Sequence, residues 1–142
     1  MNSPTYLGGA LFMKAYRLLR TGVAESLEQY SLTPTLWILL GVVKAAPQGV
    51  RKSEIAAIMN VKAPLITILT QQLVERDLIT SDVHVTDKRA KVLVLTKEGM
   101  KFTDEVETSV SELLKKVLNG ATSSDMEAFR KVLAIIVQNS KT

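Results

Sequence analysis

Thr86-Asp87-Lys88-Arg89-Ala90-Lys91-Val92-Leu93-Val94-Leu95-Thr96-Lys97-Glu98-Gly99 is the most informative stretch of this chain. It opens on a short polar segment in which Asp87 precedes three cations, Lys88, Arg89 and Lys91. A β-prone run follows, Val92 and Val94 alternating with Leu93 and Leu95, and Thr96 then offers a hydroxyl to start a helix. A basic hairpin tip on a returning strand suits contact with phosphates or a minor groove. It also suits an ordinary solvated hairpin, and the flanking sequence separates the two.

Upstream, Ser53 is read as the N-cap of a short helix over 54–59, with Ile55, Ala56, Ile58 and Met59 as its apolar stripe. Asn60-Val61-Lys62 makes a turn. Pro64 stands in the first turn of a helix over 63–76, where Ile66, Leu69 and Leu73 follow the inward spacing. Helix, tight turn, helix, then a hairpin from Leu78-Ile79 is a winged helix-turn-helix.

Long helices flank this unit. Over 5–29, Leu7, Leu11, Ala15, Leu18, Leu19, Val23 and Leu27 form an amphipathic stripe that Gly22 weakens. Thr33-Pro34 starts a second helix, whose Leu36, Trp37, Leu39, Leu40 and Val43 make it central; Pro47-Gln48-Gly49 breaks it. After Thr96, Phe102, Val106, Val110, Leu113 and Val117 line one face up to Asn119-Gly120. Ser124-Asp125 is read as the cap of a last helix, with Met126, Phe129, Leu133, Ile136 and Val137 on one stripe. The fold class is mostly α with a small β-wing, in the order α-α-α-α-β-β-α-α. We divide it into an N-terminal dimerisation helix (1–32), a winged helix-turn-helix (33–97) and C-terminal dimerisation helices (98–142). Apolar arms so remote in sequence lack partner surface in one small domain, which favours cross-packing in a symmetric homodimer over a monomer with its arms folded back.

Composition narrows the function classes. The 142 residues carry a net charge of +4, compatible with an anionic partner. There is no cysteine and one histidine, His84, which removes thiolate chemistry and His-rich metal sites. No glycine loop suited to cradling phosphate is present, so an enzyme is poorly supported, and no cofactor or metal is expected. No membrane span or secretory leader is legible, and the expected location is cytoplasmic.

In these four blocks the chain resembles the MarR/SlyA family of bacterial transcriptional regulators. They are Leu32-Thr33-Pro34-Thr35-Leu36-Trp37, Ser53-Glu54-Ile55-Ala56, Leu73-Val74-Glu75-Arg76-Asp77-Leu78-Ile79, and Asp87-Lys88-Arg89-Ala90-Lys91 with Leu95-Thr96-Lys97-Glu98-Gly99. Pro64 matches the subset with proline at the start of the recognition helix. The resemblance implies a triangular homodimer on a palindromic duplex, and often a small aromatic or anionic effector; the expected role is a repressor released by such a ligand. It implies that Arg89 enters the minor groove and that Asp87 orients it.

The residues support the same chemistry independently. A narrow minor groove concentrates negative potential, and a guanidinium is weakly enough hydrated to enter it. Lys88 and Lys91 would meet phosphates, as would Arg51, Lys52 and Ser53 at a helix start, and Lys62. For Ser53 an ordinary cap, and for Arg51 and Lys52 a solvated loop, are close competitors. The recognition helix would present Pro64, Leu65, Thr67, Ile68 and Gln71. It departs from the family at Ile68, where many members carry arginine, and at Leu65, where they carry a small hydroxyl residue. With no cation between Lys62 and Arg76, arginine-to-guanine contacts are unavailable there. Three readings stay open. Leu65 and Ile68 touch thymine methyls while Gln71 reads adenine, giving an A·T-rich operator; or binding is weak and rests on the wing; or the face serves a protein partner. Trp37 reads as core before ligand contact, yet with Phe12 and Tyr16 it could border an effector pocket, for which the sequence shows no polar anchor. His84 reads as an exposed bystander before a pH-dependent phosphate contact.

Overall fold

A computed structural model describes residues 5–83 and 91–140. The elements are α1 (Thr5–Leu27), a 3-10 turn (Glu28–Tyr30), α2 (Pro34–Lys44), α3 (Lys52–Met59), α4 (Ala63–Glu75), β1 (Ile79–Val83), β2 (Lys91–Leu95), α5 (Lys97–Val117) and α6 (Ser123–Asn139). The expected order holds. Thr33 caps α2 by accepting from Leu36 N–H at 3.2 Å, with Pro34 directly after it.

Two helix starts differ from the sequence reading. The N-cap of α3 is Arg51, and Ser53 lies inside the first turn. The Glu54 carboxylate accepts from Arg51 N–H at 3.1 Å, so one orphan donor is satisfied without a hydroxyl cap. For α6 the cap is Thr122, and Ser124 and Asp125 are within the helix. Thr122 Oγ1 accepts from Asp125 N–H at 3.0 Å, and the Asp125 carboxylate accepts from Thr122 N–H at 2.8 Å. A two-way bond of this kind outcompetes a single serine hydroxyl.

The core lies where α2 is wrapped by the end of α1, α3, α4, the hairpin and α5. Leu27, Leu39, Leu40, Ile55, Ile66, Leu73, Val106 and Val110 are fully buried there. β1 and β2 pair antiparallel, with Ile79 opposite Leu95 and Val83 opposite Lys91. Val92 and Leu93 are both buried, so β2 does not show simple alternation. The cause is a third piece of backbone, Val50, which exchanges hydrogen bonds with Leu93 at 3.1 and 2.7 Å. Gly49, at φ +101°, lies against Val92 where any Cβ would collide with that side chain.

α5 is docked by the Thr96–Gly99 turn. Thr96 N–H donates to Leu78 C=O at 3.0 Å, and Thr96 Oγ1 accepts from Gly99 N–H at 2.9 Å. The arms are another matter. Leu11, Phe12, Met13 and Leu18 of α1 are exposed, as are Phe129, Leu133, Ile136 and Val137 of α6. α6 buries no residue, so the arms do not all fold back onto their own core. Ile58, expected on the inner stripe of α3, is 65% exposed. Ile55, Ala56 and Met59 already occupy the inward face of that two-turn helix, and Ile58 falls beyond its edge.

Candidate nucleic-acid interface

Three residues separate α3 from α4, and the chain bends by 112° between them, within the range of a helix-turn-helix. Asn60 makes the turn in the left-handed region at φ 54°, and Val61 N–H closes onto Ala56 C=O at 3.0 Å. α4 then buries Ile66, Leu69 and Leu73 as the spacing predicts. Pro64, Leu65, Thr67, Ile68 and Gln71 are all exposed, and so is Lys62 at the N-cap. The outward face is therefore continuous and nearly uncharged. Thr67 spends its hydroxyl on Ala63 C=O at 3.3 Å, and Gln71 donates to Glu75 at 3.3 Å. Reading adenine would require Gln71 to exchange that bond for one to the base.

Beside α4 runs an open cleft of about 720 Å³. It brings together Arg51, Lys52 and Ser53 from the start of α3, Gln71 from α4 and Lys91 from β2. Three cations and the start of α3 thus converge on one trough, a geometry suited to a phosphate backbone. Lys62, Pro64, Leu65, Thr67 and Ile68 do not line it; they belong to the crest of α4. Thr70, which the sequence reading passed over, lines it too; it is 3% exposed and its hydroxyl finds no hydrogen-bond partner among the described residues. His84, Asp87, Lys88 and Arg89 lie outside the described residues. The pairing of Val83 with Lys91 starts and ends the segment that carries them at adjacent points of the hairpin.

A smaller cleft of about 280 Å³ lies between α1 and the start of α2. Tyr16 and Trp37 line it, and Phe12 does not; it is one turn earlier on α1 and 57% exposed. Trp37 is half-buried and packs against the core at the same time. Arg20 also faces this cleft and donates to Tyr16 Oη at 3.4 Å, supplying a cation that the sequence reading missed. Its spacing of four residues from Tyr16 was the available signal. Among the described residues, no single helix is long and apolar enough to cross a membrane.

No family model matches the chain. Solved structures do share its fold. CouR from Rhodococcus jostii RHA1, solved with p-coumaroyl-CoA, superposes with a TM-score of 0.87 at 22% identity, over 94% of this chain and 94% of that one. A MarR-family transcriptional regulator from Rhodococcus sp. RHA1 gives 0.82 at 20% identity, over 96% and 97%. S. aureus MepR in complex with DNA gives 0.78 at 21% identity, over 92% and 94%. At these identities the likeness establishes the fold: a winged helix-turn-helix set between long helical arms, shared with those regulators.

Proposed function

We propose that this chain belongs to the MarR family and works as a homodimeric transcriptional regulator, a cytoplasmic repressor that binds a palindromic, A·T-rich duplex. The observation that carries this reading is the convergence of Arg51, Lys52 and Lys91 on the trough beside the exposed face of α4. In this reading the trough takes the phosphate backbone while Leu65, Ile68 and Gln71 meet base edges. Arg89 enters the minor groove, oriented by Asp87, and Lys88 and Lys62 add phosphate contacts. The DNA-bound state of the MepR structure supports this use of the fold. The acyl-CoA bound to CouR supports an aromatic or anionic effector. In this chain Tyr16, Trp37 and Arg20 offer such a ligand two rings and a cation.

One observation favours a second reading. Ile58, Leu65 and Ile68 are 65%, 39% and 57% exposed on the two helices of the motif. An apolar surface of that kind also suits a protein partner, with DNA binding weak.

Selection from a random duplex library at two salt concentrations separates the two. Recovery of an A·T-rich palindrome, weakened by salt, is expected from phosphate neutralisation. Arg89→Ala is expected to lower affinity for the recovered duplex by about 1–3 kcal/mol. Retention of nothing above background would turn the reading toward the protein partner.

A further inference from the structure

Arg76 closes α4, yet its side chain turns away from the face that carries Pro64–Gln71 and grips a different helix. Nη2 donates to Tyr30 C=O at 2.8 Å and Nη1 donates to Ser31 C=O at 2.9 Å. These carbonyls stand at the end of the 23-residue α1 and its 3-10 turn, where orphan acceptors and the helix dipole favour a cation. Ser31 holds the left-handed conformation at φ 53°, and its carbonyl and that of Tyr30 both lie within reach of one guanidinium. The guanidinium also lies over the Phe102 ring of α5, 5.3 Å from its centroid. Phe102 meets Tyr30 edge-on at 5.9 Å, and Tyr30 Oη bonds Ser109 Oγ at 2.7 Å. One fork therefore ties the last turn of α4 to both arm helices, α1 and α5.

We infer that Arg76 is a positioning residue for DNA binding: it sets the recognition helix against the arms and acts on affinity through α4, without touching a phosphate. The inference rests on the DNA-binding reading above. Both terminal nitrogens are committed to carbonyls. A rigid planar fork can serve two adjacent acceptors and an aromatic face together, whereas a lysine ammonium offers a point charge. Arg76 also joins the end of α1, one of the two helices that frame the Tyr16–Trp37 cleft, to the helix that would enter the groove. Any tilt of α1 reaches α4 through this contact.

The test uses the full-length chain and the variants Arg76→Lys and Phe102→Leu, with two readouts. The first is amide hydrogen exchange over 27–32 and 73–78. The second is affinity for the library-selected duplex across a salt series. Arg76→Lys is expected to lose protection in both segments, and to lose roughly five- to tenfold in affinity, the lower range of coupling between sites. Its salt slope is expected to match that of the parent. Phe102→Leu, which keeps the fork and removes the ring face, is expected to show a smaller loss in the same two segments. A salt slope reduced by about one would mark Arg76 as a phosphate contact and overturn the inference. So would full rescue by lysine, unchanged exchange, or a loss of protection spread evenly over the core, which would mean only general destabilisation. If the parent chain retains no duplex, the DNA-binding reading fails on its own, and the exchange arm still decides whether Arg76 tethers α4 to the arms.

Discussion

Gly99 and Leu78 meet backbone to backbone. A Cβ on Gly99 would overlap the Leu78 carbonyl, which cannot swing aside because it already accepts from Thr96 N–H. Glycine is thus required here for close approach, although its φ is ordinary for a helix. Gly99→Ala is expected to destabilise the fold by about 3 kcal/mol, the upper range for overpacking, because both sides of the clash are main chain. A urea midpoint within error of the parent would show that α5 docks differently. The motif Leu95-Thr96-Lys97-Glu98-Gly99 was legible as a helix start from Thr96 alone. The reason for its glycine was not, because Leu78 is 21 positions away and nothing local announces the contact. The same holds for Arg76: the sequence shows a cation at a helix end, and only the folded chain shows which carbonyls it serves.

Periodicity carried the elements well where a helix is long and one face is covered. Ile66, Leu69 and Leu73 of α4 followed their spacing into the core. It carried them less well in α3, where eight residues make two turns and one misplaced hydrophobe, Ile58, falls on the open side. Helix starts slipped by two residues at both α3 and α6, because Ser53 and Ser124 are good local candidates and the true caps are decided by which acid can reach back. That reach has a measurable consequence in α6. Hydrogen bonds from the Thr122 backbone N–H, and then from its side chain, hold the Asp125 carboxyl below its usual range. A lowered folded-state pKa contributes stability above the ordinary aspartate range, and that contribution is lost as pH falls through and below it. The first turn of α6 is therefore expected to lose exchange protection on acidification. Asp125→Asn should already be weakened at neutral pH and change little on acidification. Equal pH dependence in parent and variant would remove the capping role. Lys44 has the opposite sign. Asp104 first, and then Glu107, at 2.8 and 2.7 Å, raise its pKa, so its contribution persists through neutral pH and is lost only as pH rises through and above the ordinary lysine range.

The whole molecule presents a problem that its single chain does not solve. Leu11, Phe12 and Leu18 on α1 and Phe129, Ile136 and Val137 on α6 all remain more than half exposed. Monomeric proteins rarely leave so many large apolar side chains on two long helices. The apolar stripes were legible in the sequence, and their remoteness already pointed to a second copy as the cover; which residues would meet across that contact was not legible, because the partner's stripe leaves no separate trace in the repeat. Cross-packing of these arms in a two-fold dimer would bury them and place two α4 faces on one side. Light scattering at micromolar concentration is expected to give about twice the chain mass of 15.6 kDa. The double variant Phe129→Glu, Ile136→Glu places charge in that contact and is expected to run as a folded monomer. Its winged helix stays intact, since neither residue is buried in the chain. Loss of the second half-site should then cost at least about a hundredfold in affinity for a palindrome, because the two contacts no longer share one effective concentration. Affinity for a single half-site should be unchanged. A double variant that stays dimeric would place the interface elsewhere, and a parent chain that runs as a monomer would remove the palindrome from the argument altogether.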